Sequence, residues 1–209
     1  MTDFRQLDKS DFECWQLDQG GVYYGQVTYV DQDNKIVEDI EQAKKEVEEI
    51  LNQEPPPEGE EVVVPKFKRV RHGLGVNCYG RTEEDNILCK YEGNWEKDKK
   101  HGQGFLVFPD GSTYRGNFKN DKIEGDGVFH WAHKDHTYEG SWKDGRLEGE
   151  GSFSHADGTQ FNGTFFNNYK LADGFFVNPF LSSEEEAEYQ SKCKAFQMKQ
   201  MSPHQEEFE

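Results

Sequence analysis

Between residues 91 and 174 apolar and polar positions alternate with a period of two, and glycines interrupt the alternation at fixed intervals. Tyr91-Glu92-Gly93-Asn94-Trp95 is followed by Gly102-Gln103-Gly104. Tyr114-Arg115-Gly116-Asn117-Phe118 is followed by Gly125-Asp126-Gly127, and Tyr138-Glu139-Gly140-Ser141-Trp142 by Gly149-Glu150-Gly151. A fourth unit, Phe161-Asn162-Gly163-Thr164-Phe165, precedes a lone Gly174. Units starting at 91, 114, 138 and 161 have periods of 23, 24 and 23 residues, the mark of a repeat array. The extra residue falls in His130–Thr137, where the flanking units have a short Asp-Gly turn, Asp110-Gly111 and Asp157-Gly158.

Each unit predicts a β-hairpin. In Tyr-x-Gly-x-Trp, residues i, i+2 and i+4 share one face of a strand. A turn such as Glu96–Lys100 leads to Gly-x-Gly and an apolar second strand, Phe105–Phe108. Glycine weakens a strand, so its recurrence needs a physical reason. The reason read here is space, a slot in which a neighbouring unit's ring lies against backbone. Rings and slots then form a continuous aromatic stripe that no single hairpin could bury alone.

Upstream, Val22–Tyr29 reads as the first strand of a split repeat whose second strand is His72-Gly73-Leu74-Gly75-Val76. The insertion between them carries Ile36, Ile40, Ala43, Val47 and Ile50 at spacings of 4, 3, 4 and 3. That is an amphipathic helix over 33–51, with Asp31 or Asp33 as its cap and Pro55-Pro56-Pro57 as its stop. The helix is expected to lie against the array. Ser182/Glu185 and Ser183/Glu186 are overlapping capping boxes for a C-terminal helix reaching about Gln200. The fold class expected is mainly β, an elongated antiparallel hairpin array with an inserted α-helix and a C-terminal α-helix. Four regions follow: 1–32, an N-terminal segment with the first strands of the split repeat; 33–65, helical insertion and Pro/Glu linker; 66–177, the array; 178–209, C-terminal helix and tail.

The pattern Tyr-x-Gly-x-Trp-x6-Gly-x-Gly, with Asp-Gly before the next Tyr, resembles the MORN repeat (membrane occupation and recognition nexus). Three units carry it in full, and the fourth departs with Phe161 in place of Tyr and a single later glycine. The resemblance implies a non-catalytic docking array. Small proteins of this family are similar in role to scaffold components of ciliary axonemes, notably radial-spoke heads. The same resemblance implies, as alternatives, a phosphoinositide- or membrane-associating module, or a regulatory subunit of an enzyme. MORN arrays also precede lipid-kinase and lysine-methyltransferase domains, but the 35 residues after Gly174 are too few for either.

Composition narrows these options. Hydrophobic residues are only 33% of the 209, while aromatics reach 14%, with 16 Phe, 9 Tyr and 4 Trp. Burial therefore depends on rings over a flat surface rather than on aliphatic layers. The net charge is −17, divided as −9, −4 and −4 over 1–90, 91–174 and 175–209. No region is net basic, which argues against nucleic acid and anionic membrane as main ligands. The N-terminus has no apolar signal core, and no run approaches a membrane span. Cys14, Cys78, Cys89 and Cys193 form no CxxC and read as reduced thiols of a cytosolic compartment.

Candidate chemistry is sparse. The Gly-x-Gly pairs recur in every hairpin without a βαβ context, so they are not a nucleotide fingerprint. Glu124/Asp126 and Glu148/Glu150 recur at one repeat position and read as a solvated face. His130, His133 and His136 are either a polar turn, the favoured reading, or a metal cluster; on one strand, His130 and His136 would share a face. Lys66–His72 is the single basic run, read as a strand whose charges offset the acidic insertion, with an acidic partner or a lipid head as the alternative. No catalytic constellation and no cofactor are expected. The expected partner-binding groove is the aromatic stripe Tyr91, Trp95, Tyr114, Phe118, Tyr138, Trp142, Phe161 and Phe165, its inner rings structural and its rim rings binding. Protein partners in a larger complex are expected, with localisation in the cytoplasm and the ciliary axoneme. Exposed end strands add a homodimer to the expectations.

Overall fold

A computed structural model describes residues 12–17, 21–52, 64–81, 87–171, 173–178, 182, 184–185, 187–188 and 191–192. One antiparallel sheet contains every strand among the described residues. The elements are β1 (Phe12–Gln16), β2 (Val22–Val30), α1 (Ile40–Leu51), β3 (Lys68–Arg81), β4 (Ile87–Glu96), β5 (Lys99–Val107), β6 (Thr113–Lys119), β7 (Lys122–Trp131), β8 (His136–Lys143), β9 (Arg146–Ser154), β10 (Gln160–Phe166), β11 (Tyr169–Lys170) and β12 (Phe175–Val177). Strands β1 to β11 neighbour one another in chain order, and β12 joins β10 beside β11. The expected hairpin array is therefore present, and β2 pairs with β3 across the insertion.

Register explains the glycines. They face one another strand after strand, from Gly25 through Gly75, Gly93, Gly104, Gly116, Gly127, Gly140 and Gly151 to Gly163. This ladder is the floor on which the tyrosines lie. A Cβ on Gly104 would stand 2.6 Å from the Tyr91 ring and hydroxyl, a clash. The ring over each pair belongs to the same unit, two residues before its first-strand glycine. This corrects the expectation that a neighbouring unit's ring fills the slot. The neighbour's ring instead meets the tyrosine edge to face.

The two glycines of Gly-x-Gly do different work. The second gives the close approach. The first, as at Gly102 with φ +60°, sits in a bulge where the register shifts between Gly93 and Trp95. Positive φ there favours glycine over any residue with a Cβ. The hairpin turns are equally regular: Lys97-Asp98, Asn120-Asp121, Asp144-Gly145 and Asn167-Asn168 all have positive φ at both positions. That is the two-residue turn whose twist matches the strands it joins. Each turn also bonds backward along the array. The second turn residue donates its N–H to the carbonyl of Arg71, Lys100, Ile123 or Leu147 in the preceding unit, at 2.9–3.1 Å.

The insertion helix begins later than the 33–51 expected. Ile36 bridges back to Val30, the last residue of β2, so the chain is still paired with the sheet where the helix was expected. Asp39 is the cap, accepting the Gln42 N–H at 2.9 Å, while Asp31 closes a turn by accepting the N–H groups of Asp33 and Lys35. Lys44 Nζ lies over the Tyr29 ring at 5.4 Å, but no strand shares an extensive contact with α1. Its apolar positions Ile40, Ala43, Val47 and Ile50 are half-buried. Most of the expected C-terminal helix lies outside the described residues. At its start the Ser182/Glu185 box is formed, with Ser182 N–H and Oγ–H donating to Glu185 Oε2.

Candidate docking face

One sheet face carries the tyrosines and tryptophans, and the structure places all eight residues of the expected groove inside it. Tyr91, Tyr114, Tyr138 and Phe161 are fully buried, and Trp95, Phe118, Trp142 and Phe165 are at most 6% exposed. With Tyr23 they form one chain of edge-to-face contacts, alternating within and between units. Tyr91 meets Trp95 at 5.0 Å and Phe118 at 5.0 Å, Tyr114 meets Phe118 at 5.2 Å and Trp142 at 5.5 Å, and Tyr138 meets Trp142 at 5.3 Å and Phe165 at 4.8 Å. Each such contact contributes about 0.5–1.5 kcal/mol beyond the area it buries.

The polar ends of these rings are satisfied. The hydroxyls of Tyr23, Tyr91, Tyr114 and Tyr138 donate to the carbonyls of Gln26, Asn94, Asn117 and Ser141, at 2.7–3.1 Å. Trp95 and Trp142 donate their indole N–H to the carbonyls of Gly75 and Gly127. Burial pushes the phenol of Tyr138 up to about 12, and it moves Tyr23, Tyr91 and Tyr114 in the same direction. These rings hold the fold together and stay neutral at any physiological pH.

A second row is less deeply buried, apart from Leu106. Opposite each tyrosine, on the returning strand, stands Leu106, Phe129, Phe153 or, facing Phe161, Phe176. Phe129 and Phe153 are half-buried, and with Trp131 they form a tilted stack, Phe129–Trp131 at 4.4 Å and Trp131–Phe153 at 5.6 Å. Together with Trp142 and Leu147 they line an open cleft of about 520 Å³, rimmed by Asp110, His133, Lys134, His136 and Asn168. The longer β7–β8 connection supplies part of that rim, so the repeat's extra residue has a structural outcome.

A third row sharpens the cleft's limits. The residue paired with each Trp or Phe just past the turn is Lys100, Ile123, Leu147 and Lys170 in turn, and Arg71 holds the corresponding place in the split unit. Arg71 lies 4.1 Å over Trp95, Lys100 lies 5.6 Å over Tyr79 and Tyr91, and Lys170 lies 4.5 Å over Phe153. The outer units are thus closed by cations over rings. The middle, at Ile123 and Leu147, is apolar.

Phe129, Trp131 and Phe153 were not among the expected groove residues. The signal for them was the alternation itself: counting by twos from Gly127 puts Phe129 and Trp131 on the tyrosine face.

The other expected sites resolve into structural roles. Glu124 and Glu148 accept the backbone N–H of Asp144 and Asn167, holding the next turn, and Asp126 accepts Ser141 Oγ–H at 2.9 Å. His130 pairs with Thr137 and His136 with Trp131, so the chain reverses between them. They stand on opposite sheet faces, joined by the polar turn that was the favoured reading, and not on the single strand on which they would have shared a face. No cluster of three metal-type side chains occurs among the described residues.

Within the basic run, Lys68 and Arg71 are engaged by Asp98 and Arg69 by Glu13. Burial alone would raise the Asp98 carboxyl, but the Arg71 N–H and the Lys68 and Arg71 side chains outweigh it and hold the carboxyl below its usual value. His155 moves down from its ordinary value because of burial, and then because of the charges of Lys170 and His136. Burial raises the Cys89 thiol. No described helix is long and apolar enough to cross a membrane.

The MORN repeat family model matches residues 91–113, 114–132 and 138–160, so residues 91–160 carry three MORN repeats. The gap in the match falls at 133–137, the connection that forms the cleft rim. The chain is also similar to Alsin of Rattus norvegicus, at 41% identity over 44 residues, which is 21% of this chain and 3% of that protein. The matched stretch is thus a small part of that relative. MORN-repeat proteins are generally non-catalytic. The repeats and the Alsin match together support an interaction module that meets either proteins or membranes.

Proposed function

We propose that this chain is a non-catalytic scaffold protein that docks protein partners through the tyrosine face, at the aromatic cleft over the second and third repeats. The observation that carries the reading is the cleft of about 520 Å³ with an aromatic floor, in the middle units where the cationic closure of the outer units gives way to Ile123 and Leu147. A surface of this kind suits an apolar side-chain cluster of a partner. The engagement of Lys68, Arg69 and Arg71 by carboxylates supports protein over anionic membrane as the surface met. We further propose, on the family resemblance, that the partners belong to a ciliary axonemal complex such as the radial spoke.

Affinity purification of the tagged chain from ciliated-cell extract, with mass spectrometry of what co-purifies, tests both levels. Axonemal proteins at fixed stoichiometry, lost with Trp131→Ser, are the expected result. Capture of membrane or lipid-metabolising proteins, or nothing above background, overturns the axonemal proposal. Binding to phosphoinositide vesicles that persists in Trp131→Ser overturns the cleft as the docking surface.

A further inference from the structure

Three of the five large apolar side chains exposed among the described residues stand at the C-terminal end of the array: Phe166, Tyr169 and Phe175, at 60, 72 and 50% exposure. They share one face. Phe161 and Phe165 point into the tyrosine face, so alternation turns Asn162, Thr164 and Phe166 to the other side. Tyr169 pairs with Phe166 and Phe175 with Asn162, which puts all three rings on that other side. Beside Phe175 runs a shallow groove of about 420 Å³, along Asn162, Thr164, Asp173 and Glu150. The tyrosine face of the same unit is already covered, by Lys170 lying over Phe153, Phe161 and Phe176.

The chain leaves the sheet at this end and continues as a helix. Strand β12 ends at Val177, opposite Gln160. Four residues, 178–181, lead to Ser182, whose capping box with Glu185 starts the helix. Glu184, Glu185, Ala187, Glu188, Ser191 and Lys192 are helical and exposed. At about 100° per residue, Glu184, Ala187, Glu188 and Ser191 fall on one side of that helix. The sequence places Tyr189, Cys193 and Phe196 on the side opposite them, at spacings of 4 and 3, and these three lie outside the described residues.

Helix and rings agree in register. A helix that turns back at Val177 runs alongside β10 from Gln160 toward Phe166. Counted from Ser182, Tyr189 then comes at about 11 Å and Phe196 at about 21 Å. Counted along β10 from Gln160, the Asn162–Phe175 pair lies at about 7 Å and the Phe166–Tyr169 pair at about 20 Å. Tyr189 thus meets Phe175, Phe196 meets Phe166 and Tyr169, and Glu184 and Glu188 stay in solvent.

We propose that the C-terminal helix folds back over the face opposite the tyrosines, so that Tyr189, Cys193 and Phe196 cover Phe175, Tyr169 and Phe166 and close the end of the array. The occupant is the chain's own segment because a tether of four residues sets an effective concentration in the millimolar range, above that of any free second copy at micromolar concentration. In that place the helix flanks the outer edge of β11 and β12 and hinders strand pairing with another copy.

Disulfide trapping in the full chain tests this. Thr164→Cys sets a thiol between the two ring pairs, level with Cys193. Oxidised glutathione, reduced as the two thiols lose their protons and electrons, is expected to join them within one chain, read by non-reducing electrophoresis and peptide mass spectrometry. Asp173→Cys takes its place should Thr164→Cys lose the far-UV circular dichroism of the wild type. Phe196→Glu should lower the yield at least about tenfold, since it buries a charge against the rings. Gln103→Cys, on the same face but five strand spacings away, should give no such bond. Trp131→Ser should leave the trapping unchanged, because the aromatic cleft lies on the other face.

No bond to Cys193 overturns the proposal. So does a bond to Cys193 of another chain, which would make a second copy the occupant. A yield indifferent to Phe196→Glu, or equal at Thr164→Cys and Gln103→Cys, overturns it as well, in favour of random collision.

Discussion

The contiguous repeats and the split repeat use the same contacts on different chains of connection. In both, a tyrosine lies over a facing glycine pair, Tyr91 over Gly93 and Gly104, and Tyr23 over Gly25 and Gly75. In both, its hydroxyl donates to the carbonyl three residues on. The first glycine of Gly-x-Gly has positive φ in each, Gly102 and Gly73. Yet one unit closes with Lys97-Asp98, and the other with an excursion from Asp31 to Phe67. The repeat is therefore defined across strands, and the loop that joins them is free to vary. A second difference lies in the core. Where the contiguous units set Leu106, Phe129 or Phe153 opposite the tyrosine, the split unit sets Asn77 opposite Tyr23, fully buried with neither side-chain polar atom hydrogen-bonded.

Gly127→Ala should break the contiguous array most severely, because its Cβ would stand 2.2 Å from the Tyr114 hydroxyl. A loss of about 3 kcal/mol is expected from overpacking that rigid ring, read by urea denaturation. The analogous Gly75→Ala clashes with Tyr23 but should unfold the split unit first, giving non-coincident transitions.

Replacing residues 31–67 by Asn-Gly, so that Val30 and Lys68 are joined by a two-residue turn, should remove the connection difference. Loop closure rises by about 0.6 kcal/mol per doubling, so a gain of about 2.5 kcal/mol is expected in thermal unfolding. Asn77→Leu should remove the core difference and stabilise by about 1–2 kcal/mol, since an unsatisfied buried amide is replaced by the side chain its counterparts use. If Asn77→Leu instead destabilises, the amide is serving a purpose the contiguous units do not share.

Tyr114→Phe imitates Phe161, which already lies without a hydroxyl over Gly163 and Gly174. It should cost about 1 kcal/mol, by the same denaturation measurement. The smallest effect concerns pH. His155 is depressed in the folded chain, so below its unfolded value of about 6.5 the unfolded state binds more protons. Stability therefore falls as pH drops through that value toward the folded one. The slope between pH 7 and 5 should flatten in His155→Phe, and its persistence would assign the acid sensitivity elsewhere.

The hairpins, their period and the pairing across the insertion were legible in the sequence because alternation and glycine spacing are local signals. The amphipathic stripe of α1 was legible for the same reason, but its start was not. Ile36 satisfies both a helical spacing and a strand bridge to Val30, and only the tertiary pairing decides between them. Which ring covers a glycine was also out of reach, since it depends on the lean of Tyr91 toward Gly93 and Gly104 rather than on its position. Between His130 and His136 the chain forms the polar turn that the sequence favoured, and the shared face would have held only on a single strand. The rings of the candidate face lay in the pattern, but the buried row resembles a groove as much as the half-buried row does, and sequence carries no measure of depth.

The edge-to-face chain of rings also makes this protein an optical circuit. Tyr91 and Tyr23 lie 5.0 and 5.7 Å from Trp95, and Tyr138 and Tyr114 lie 5.3 and 5.5 Å from Trp142. At such separations an excited phenol hands its energy to the indole before it can emit. Four of the tyrosines are therefore dark in the folded array, and light absorbed by any of them leaves as tryptophan fluorescence. Tyr114 and Tyr138 share Trp142, so separating that ring from its neighbours restores the emission of both and reports the loss of order at that seam without a label.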